Sequence, residues 1–194
     1  MIKNPKTENS TKLEISSRKI ASIHEAGHAI VYHMYGHNIS AIKIDSDGNG
    51  IVSCIIHTPT SGIYDFEGSA IYRRLEIFGM ICLSGYCAEL KFQNIRIGGI
   101  LTIKDSDSKV PQNNDIAALR KEMEKINEIK QDNICNDMYF YLIQEDTKKL
   151  IRKRNIWNGI INLSEEIMNS ENNYLEGEKV HEILNKYVKH GSKK

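Results

Sequence analysis

Five residues, His24-Glu25-Ala26-Gly27-His28, sit inside IASIHEAGHAIVYHM at 20–34, where Ile20, Ile23, Gly27, Ile30, Val31 and Met34 recur with helical spacing. Ser16 or Ser17 can cap this helix, and Gly36 is a natural stop. On an α-helix, positions four apart lie on one face one turn apart, so His24 and His28 can reach a single metal ion. Glu25 is rotated by about 100° from His24 and is placed to reach a water on that metal rather than the metal itself. A fold that uses this pattern must hold the helix rigid and bring a third ligand from elsewhere in the chain. Gly27 costs the helix roughly 1 kcal/mol relative to Ala, which implies that another element packs closely against it. The expected chemistry is that of zinc with an open position: a bound water made acidic, a polarised carbonyl, and Glu25 moving the proton.

The histidines that follow do not extend the motif. A metzincin places its third histidine ten residues after the first, where this chain has Met34, and a glycine where it has Val31. His33 and His37 read instead as helix-end residues, where a cation is favoured. The third ligand is then expected from an acid on another element. Two candidates stand out: Glu89, within an apolar helical stretch, and Asp115, at the start of a later helix after a polar loop. Glu89 can equally accept the second ring N–H of a ligand histidine, or pair with Arg73, Arg74 or Arg96; direct ligation by Glu89 is a third option. Asp105 and Asp107 read as solvated loop acids.

The remaining pattern predicts a mainly α (α+β) chain, a helical bundle with a small β-sheet. ISAIKID and IVSCIIH flank SDGNG as an antiparallel hairpin. A helix is expected over about 68–92, a short hairpin at IRIGGILTI (95–103), and further helices from near Asn114 to Lys130, about Ile134 to Lys153, Trp157 to Ser170 and Glu176 to Lys189. Residues 1–15 read as a flexible polar arm and 16–190 as one domain, as expected for 194 residues. Lys plus Arg (26) nearly balances Asp plus Glu (25), which removes the electrostatic footprint of a nucleic-acid binder. No apolar run approaches the roughly 20 residues of a membrane span, and no export signal is visible, so a cytoplasmic protein is expected. Cys54, Cys82, Cys87 and Cys135 show no CxxC spacing and read as free, mostly buried thiols.

At these residues the chain resembles the peptidase domain of FtsH-type AAA proteases. HEAGHAIV matches that family's zinc-binding helix; LSGYCAEL at 83–90 is similar to its Gly-Arg-x-Ala-Glu helix; NNDIAALRKEM at 113–123 is similar to its Asn-Asp-Leu segment; YLEGEKVHEIL is similar to its closing helix. The resemblance spans about residues 17–188. It implies zinc held by His24, His28 and Asp115, with Glu25 as general base. The chain departs from the family at Tyr86, which replaces the motif's arginine, and at SDSKVPQN, which replaces its Thr-Gly-Ala loop. It carries no GxxxxGK[ST] loop. The expectation is an ATP-independent zinc endopeptidase acting on unfolded or flexible polypeptides, as a monomer or small homo-oligomer. An extended substrate is expected to add as a strand near Gly50–Cys54. Two other readings are a non-catalytic zinc-binding regulatory or interaction module, and a small stand-alone regulatory HExxH protease acting on a repressor, which predicts a glutamate third ligand.

Overall fold

The computed structural model describes residues 16–55, 69–94, 113–130 and 136–192. The polar arm, the 95–103 hairpin, the 56–68 and 104–112 loops and Cys135 lie outside the described residues. Within them the chain is mainly helical with one three-stranded antiparallel sheet, as the pattern predicts.

Helix α1 (Ser17–Met34) is the centre of the molecule. Ser16 caps it, its side chain accepting from the Lys19 N–H, and the chain leaves it through Gly36 at φ +79°. Ile23, Ala26, Ala29, Ile30 and Val31 are fully buried, so α1 is packed around most of its circumference. Strands β1 (Asn38–Ile44) and β2 (Gly50–Ile55) follow as the expected hairpin. The turn is closed by the Asp45 carboxylate, which accepts from the Asp47 and Asn49 N–H groups at 2.9 and 2.8 Å, and by Gly48 at φ +85°. A register shift between Ile39 and Ala41 breaks strict alternation, so Ile39, Ile42 and Ile44 all face the core.

Helix α2 (Ser69–Phe92) lies against α1, with Leu75, Leu83 and Ala88 fully buried. A Cβ on Gly27 would stand 2.7 Å from the Ser84 carbonyl oxygen and 3.1 Å from Gly85 Cα. The close approach that Gly27 implied is therefore the α1–α2 crossing. Helix α3 (Asn113–Lys130) and helix α4 (Asn136–Arg152) pack on α2, and helix α5 (Arg154–Asn169) packs on α1.

A 3-10 turn (Glu171–Asn173) then leads into β3 (Tyr174–Glu176), and helix α6 (Gly177–Asn185) closes the chain over β1. The third strand was not expected. Leu175 pairs with Ile42, so β3 covers the inner edge of β1 and the strand order is β2-β1-β3. β2 is thus an edge strand of the described sheet. No helix among the described residues is long and apolar enough to cross a membrane.

Candidate metal centre

Three elements converge beside the α1–α2 crossing. α1 supplies His24 and His28, whose Nε2 atoms lie 2.8 Å apart. The first turn of α3 supplies Asp115, whose Oδ2 lies 3.4 Å from His24 Nε2 and 3.2 Å from His28 Nε2. A carboxylate in a first helical turn also meets the positive end of the helix dipole. The two distances to Asp115 match the roughly 3.3 Å between ligand atoms of a tetrahedral ion with bonds of about 2.0–2.1 Å, and the two imidazole nitrogens stand about 0.5 Å closer than that.

The outer nitrogens explain why both Nε2 atoms point inward. The Ile81 carbonyl can only accept, so the His28 ring proton lies on Nδ1, 2.8 Å from it. The Glu89 carboxylate accepts from His24 Nδ1 at 2.5 Å. Of the roles open to Glu89, the structure therefore favours support of a ring histidine; Arg73 pairs instead with Glu76 at 2.8 Å, and Arg96 lies outside the described residues. With both protons outward, two lone pairs and a carboxylate face one another across about 3 Å. That arrangement demands a cation between them, either a proton or a metal ion, and the donor set of two imidazoles and one carboxylate suits zinc.

Electrostatics point the same way. Burial opposes a charge on His24, yet the hydrogen bonds to Asp115 and Glu89 outweigh it and raise the imidazole to about 10. Burial would raise Asp115, but the bonds from His24 and His28 hold its carboxyl well below the usual range. Glu25, only 6% exposed, is pushed up by burial against the opposing pull of His28 and His24. The Glu25 carboxyl lies against the edge strand at Gly50, where the nearby Val52 N–H slightly offsets the effect of burial. The cluster opens into a cavity of about 680 Å³ whose wall includes Glu25, Tyr32, Gly50, Ile51 and Phe78. That size is in the range of ligand pockets.

Two glycines shape this wall. A Cβ on Gly85 would stand 2.5 Å from His28 Nε2 and 2.7 Å from His24 Nε2, so α2 can lie against the imidazoles only if residue 85 has no side chain. A Cβ on Gly50 would meet the Glu25 carboxyl in the same way. A glycine in mid-helix was the one sequence signal for Gly85; Gly50 was marked only as the start of the strand a substrate would join, not as the neighbour of Glu25. Cys82 and Cys87 are free, buried thiols, and burial pushes Cys87 up to about 12, which disfavours the thiolate a metal would need.

His33 corrects the sequence reading. It stands in the last turn of α1 as expected, but it is fully buried rather than a cation there, and it gathers with His181 of α6 and His190 beyond it into a second cluster, with ligand atoms within 4.8 Å of one another. Burial, foremost, holds His33 down to about 4.

Comparison with protein-family models and with curated proteins finds no match. The class is therefore defined by fold and site alone: a mainly helical chain with a small sheet, whose two-histidine, one-aspartate cluster could hold a metal ion beside a buried glutamate.

Proposed function

We propose that this chain is a zinc-dependent peptidase that hydrolyses peptide bonds in extended polypeptides, as its HEAGH helix and its resemblance to FtsH-type peptidase domains imply. The observation that carries the reading is the set of His24, His28 and Asp115 ligand atoms facing one another with both imidazole protons held outward, next to a buried Glu25. When bound, zinc supplies a Lewis acid and lowers the pKa of a water.

The chain's own residues supply the rest. Glu25 is the group that accepts and returns a proton: its burial raises its proton affinity, which suits a carboxyl that must hold a proton between attack and departure of the amine. The absent side chain of Gly50 leaves that carboxyl room against the edge strand. Because Glu25 lies against the edge strand, a peptide adding to β2 by backbone hydrogen bonds runs past it. Ile51, 58% exposed on the cavity rim, offers that peptide an apolar contact. Strand addition to β2 takes a peptide in extended form, so the substrates of this reading are polypeptides already extended or flexible.

Glu25→Gln is the discriminating variant. It should keep about one zinc at this cluster and abolish cleavage of an unfolded protein such as casein, read by zinc analysis and by fluorescent-casein hydrolysis. Equal cleavage by wild type and variant, or none by zinc-loaded wild type, would leave a non-catalytic zinc module in its place.

A further inference from the structure

The second histidine cluster lies on another face of α1, since His33 is five residues beyond His28 and so about 140° around the helix. Its donors come from three places: His33 in the last turn of α1, His181 in α6, and His190 in the turn that follows α6. Two rings are held as metal-ligating histidines usually are. His33 Nε2 donates to the Val188 carbonyl at 3.0 Å, and His190 Nε2 donates to the His37 carbonyl at 3.3 Å. Each neutral ring is thereby left with an unprotonated Nδ1.

His181 differs. The Ile39 N–H donates to its Nε2 at 3.1 Å, so its own proton lies on Nδ1 and is donated to His33 Nδ1, 2.7 Å away. The pair is closed by one shared proton. We propose that this triad is a second transition-metal site, weaker than the first, in which an ion takes the place of that proton. On binding, the proton leaves His181 Nδ1, Nε2 takes one up, and the Ile39 N–H loses its acceptor. The His181 proton is thus moved from one ring nitrogen to the other rather than lost. The first cluster requires a cation and this one does not, which sets the order of affinity.

Three imidazoles with no carboxylate select a borderline ion, such as zinc, cobalt or nickel, over magnesium or calcium. Burial keeps His33 neutral at pH 7, so no proton on that ring competes with the ion. His190 is exposed and provides the way in from solvent. Occupation would fasten the C-terminal turn, whose Gly191 N–H already donates to the His33 carbonyl at 3.0 Å, onto the end of α1.

The inference stands apart from the peptidase reading and is tested without activity. The full chain carrying His24→Ala and His28→Ala isolates the triad. Zinc titrated into it by calorimetry should show one bound equivalent, cobalt should give the visible absorption of a nitrogen-ligated site, and the Ile39 amide resonance should shift on binding. Adding His190→Ala, an exposed position that the fold tolerates, should weaken zinc at least tenfold. Should the double variant fail to fold, the wild-type chain should bind two zinc ions and His190→Ala only one. A folded double variant that binds no zinc, or zinc binding that ignores His190→Ala and leaves Ile39 unmoved, would overturn the site and leave the triad a proton-closed clasp.

Discussion

Replacing Gly85 by alanine tests the geometry of the candidate metal centre more directly than removing a proposed ligand. In the middle of a helix, glycine to alanine ordinarily stabilises by about 1 kcal/mol, because alanine has less backbone freedom to lose. Here the new methyl would stand 2.5 Å from His28 Nε2 and 2.7 Å from both Cδ2 and Nε2 of His24. Reaching even 3.0 Å, the short limit of real methyl contacts, takes a shift of about 0.5 Å, the tolerance within which a functional constellation must be held. Neither ring can swing freely, since His28 is tied to the Ile81 carbonyl and His24 to Glu89. Overpacking of this kind costs about 1–3 kcal/mol, so the variant should lose up to about 2 kcal/mol where a gain is normal. Zinc affinity should fall at least as far as on loss of an outer hydrogen-bond partner, about 10–100-fold. Urea denaturation of the metal-free protein and zinc competition against a chelating dye measure the two effects. A variant that is about 1 kcal/mol more stable and binds zinc like wild type would refute the contact between α2 and the imidazoles.

Asp115→Ala should empty the site, whereas Glu89→Ala should weaken zinc by about 10–100-fold and leave it measurable; the reverse order in zinc analysis would exchange their roles. Gly50→Ala should displace the Glu25 carboxyl, keeping zinc while cleavage of casein falls at least tenfold, and unchanged cleavage would separate the edge strand from the base. Stability of the metal-free protein should peak near neutrality. His24, raised to about 10 from 6.5, contributes fully below pH 6.5 and loses that contribution as pH climbs through 10; His33, lowered to about 4, contributes fully above pH 6.5 and loses it as pH falls toward 4. Denaturation midpoints at pH 5, 7.5 and 10 check this, and a monotonic profile would contradict it.

What the sequence made legible was local. Ser16, the helical recurrence from Ile20 to Met34 and Gly36 delimit α1 because capping and a left-handed exit are decided within a few residues. The hairpin was readable for the same reason, with Asp45 folding the turn onto its own carboxylate. β3 left no trace, because three residues have no periodicity and Leu175 becomes a strand residue only by meeting Ile42, 133 positions earlier. His33 was misread likewise: its place near the end of α1 suggested a cation at the helix terminus, but α6 and the turn after it fold over it from about 150 positions away. The two acids show where local reasoning ends. Glu89 and Asp115 both reach His24, one at Nδ1 and the other at Nε2, on opposite sides of a single imidazole. Spacing along the chain cannot choose between those nitrogens. The choice is made by how α2 lies on α1, and therefore by Gly27 and Gly85, the two positions where the helices touch without side chains. The glycines that look like defects in their helices thus decide which carboxylate meets the paired Nε2 atoms and which supports the ring behind them.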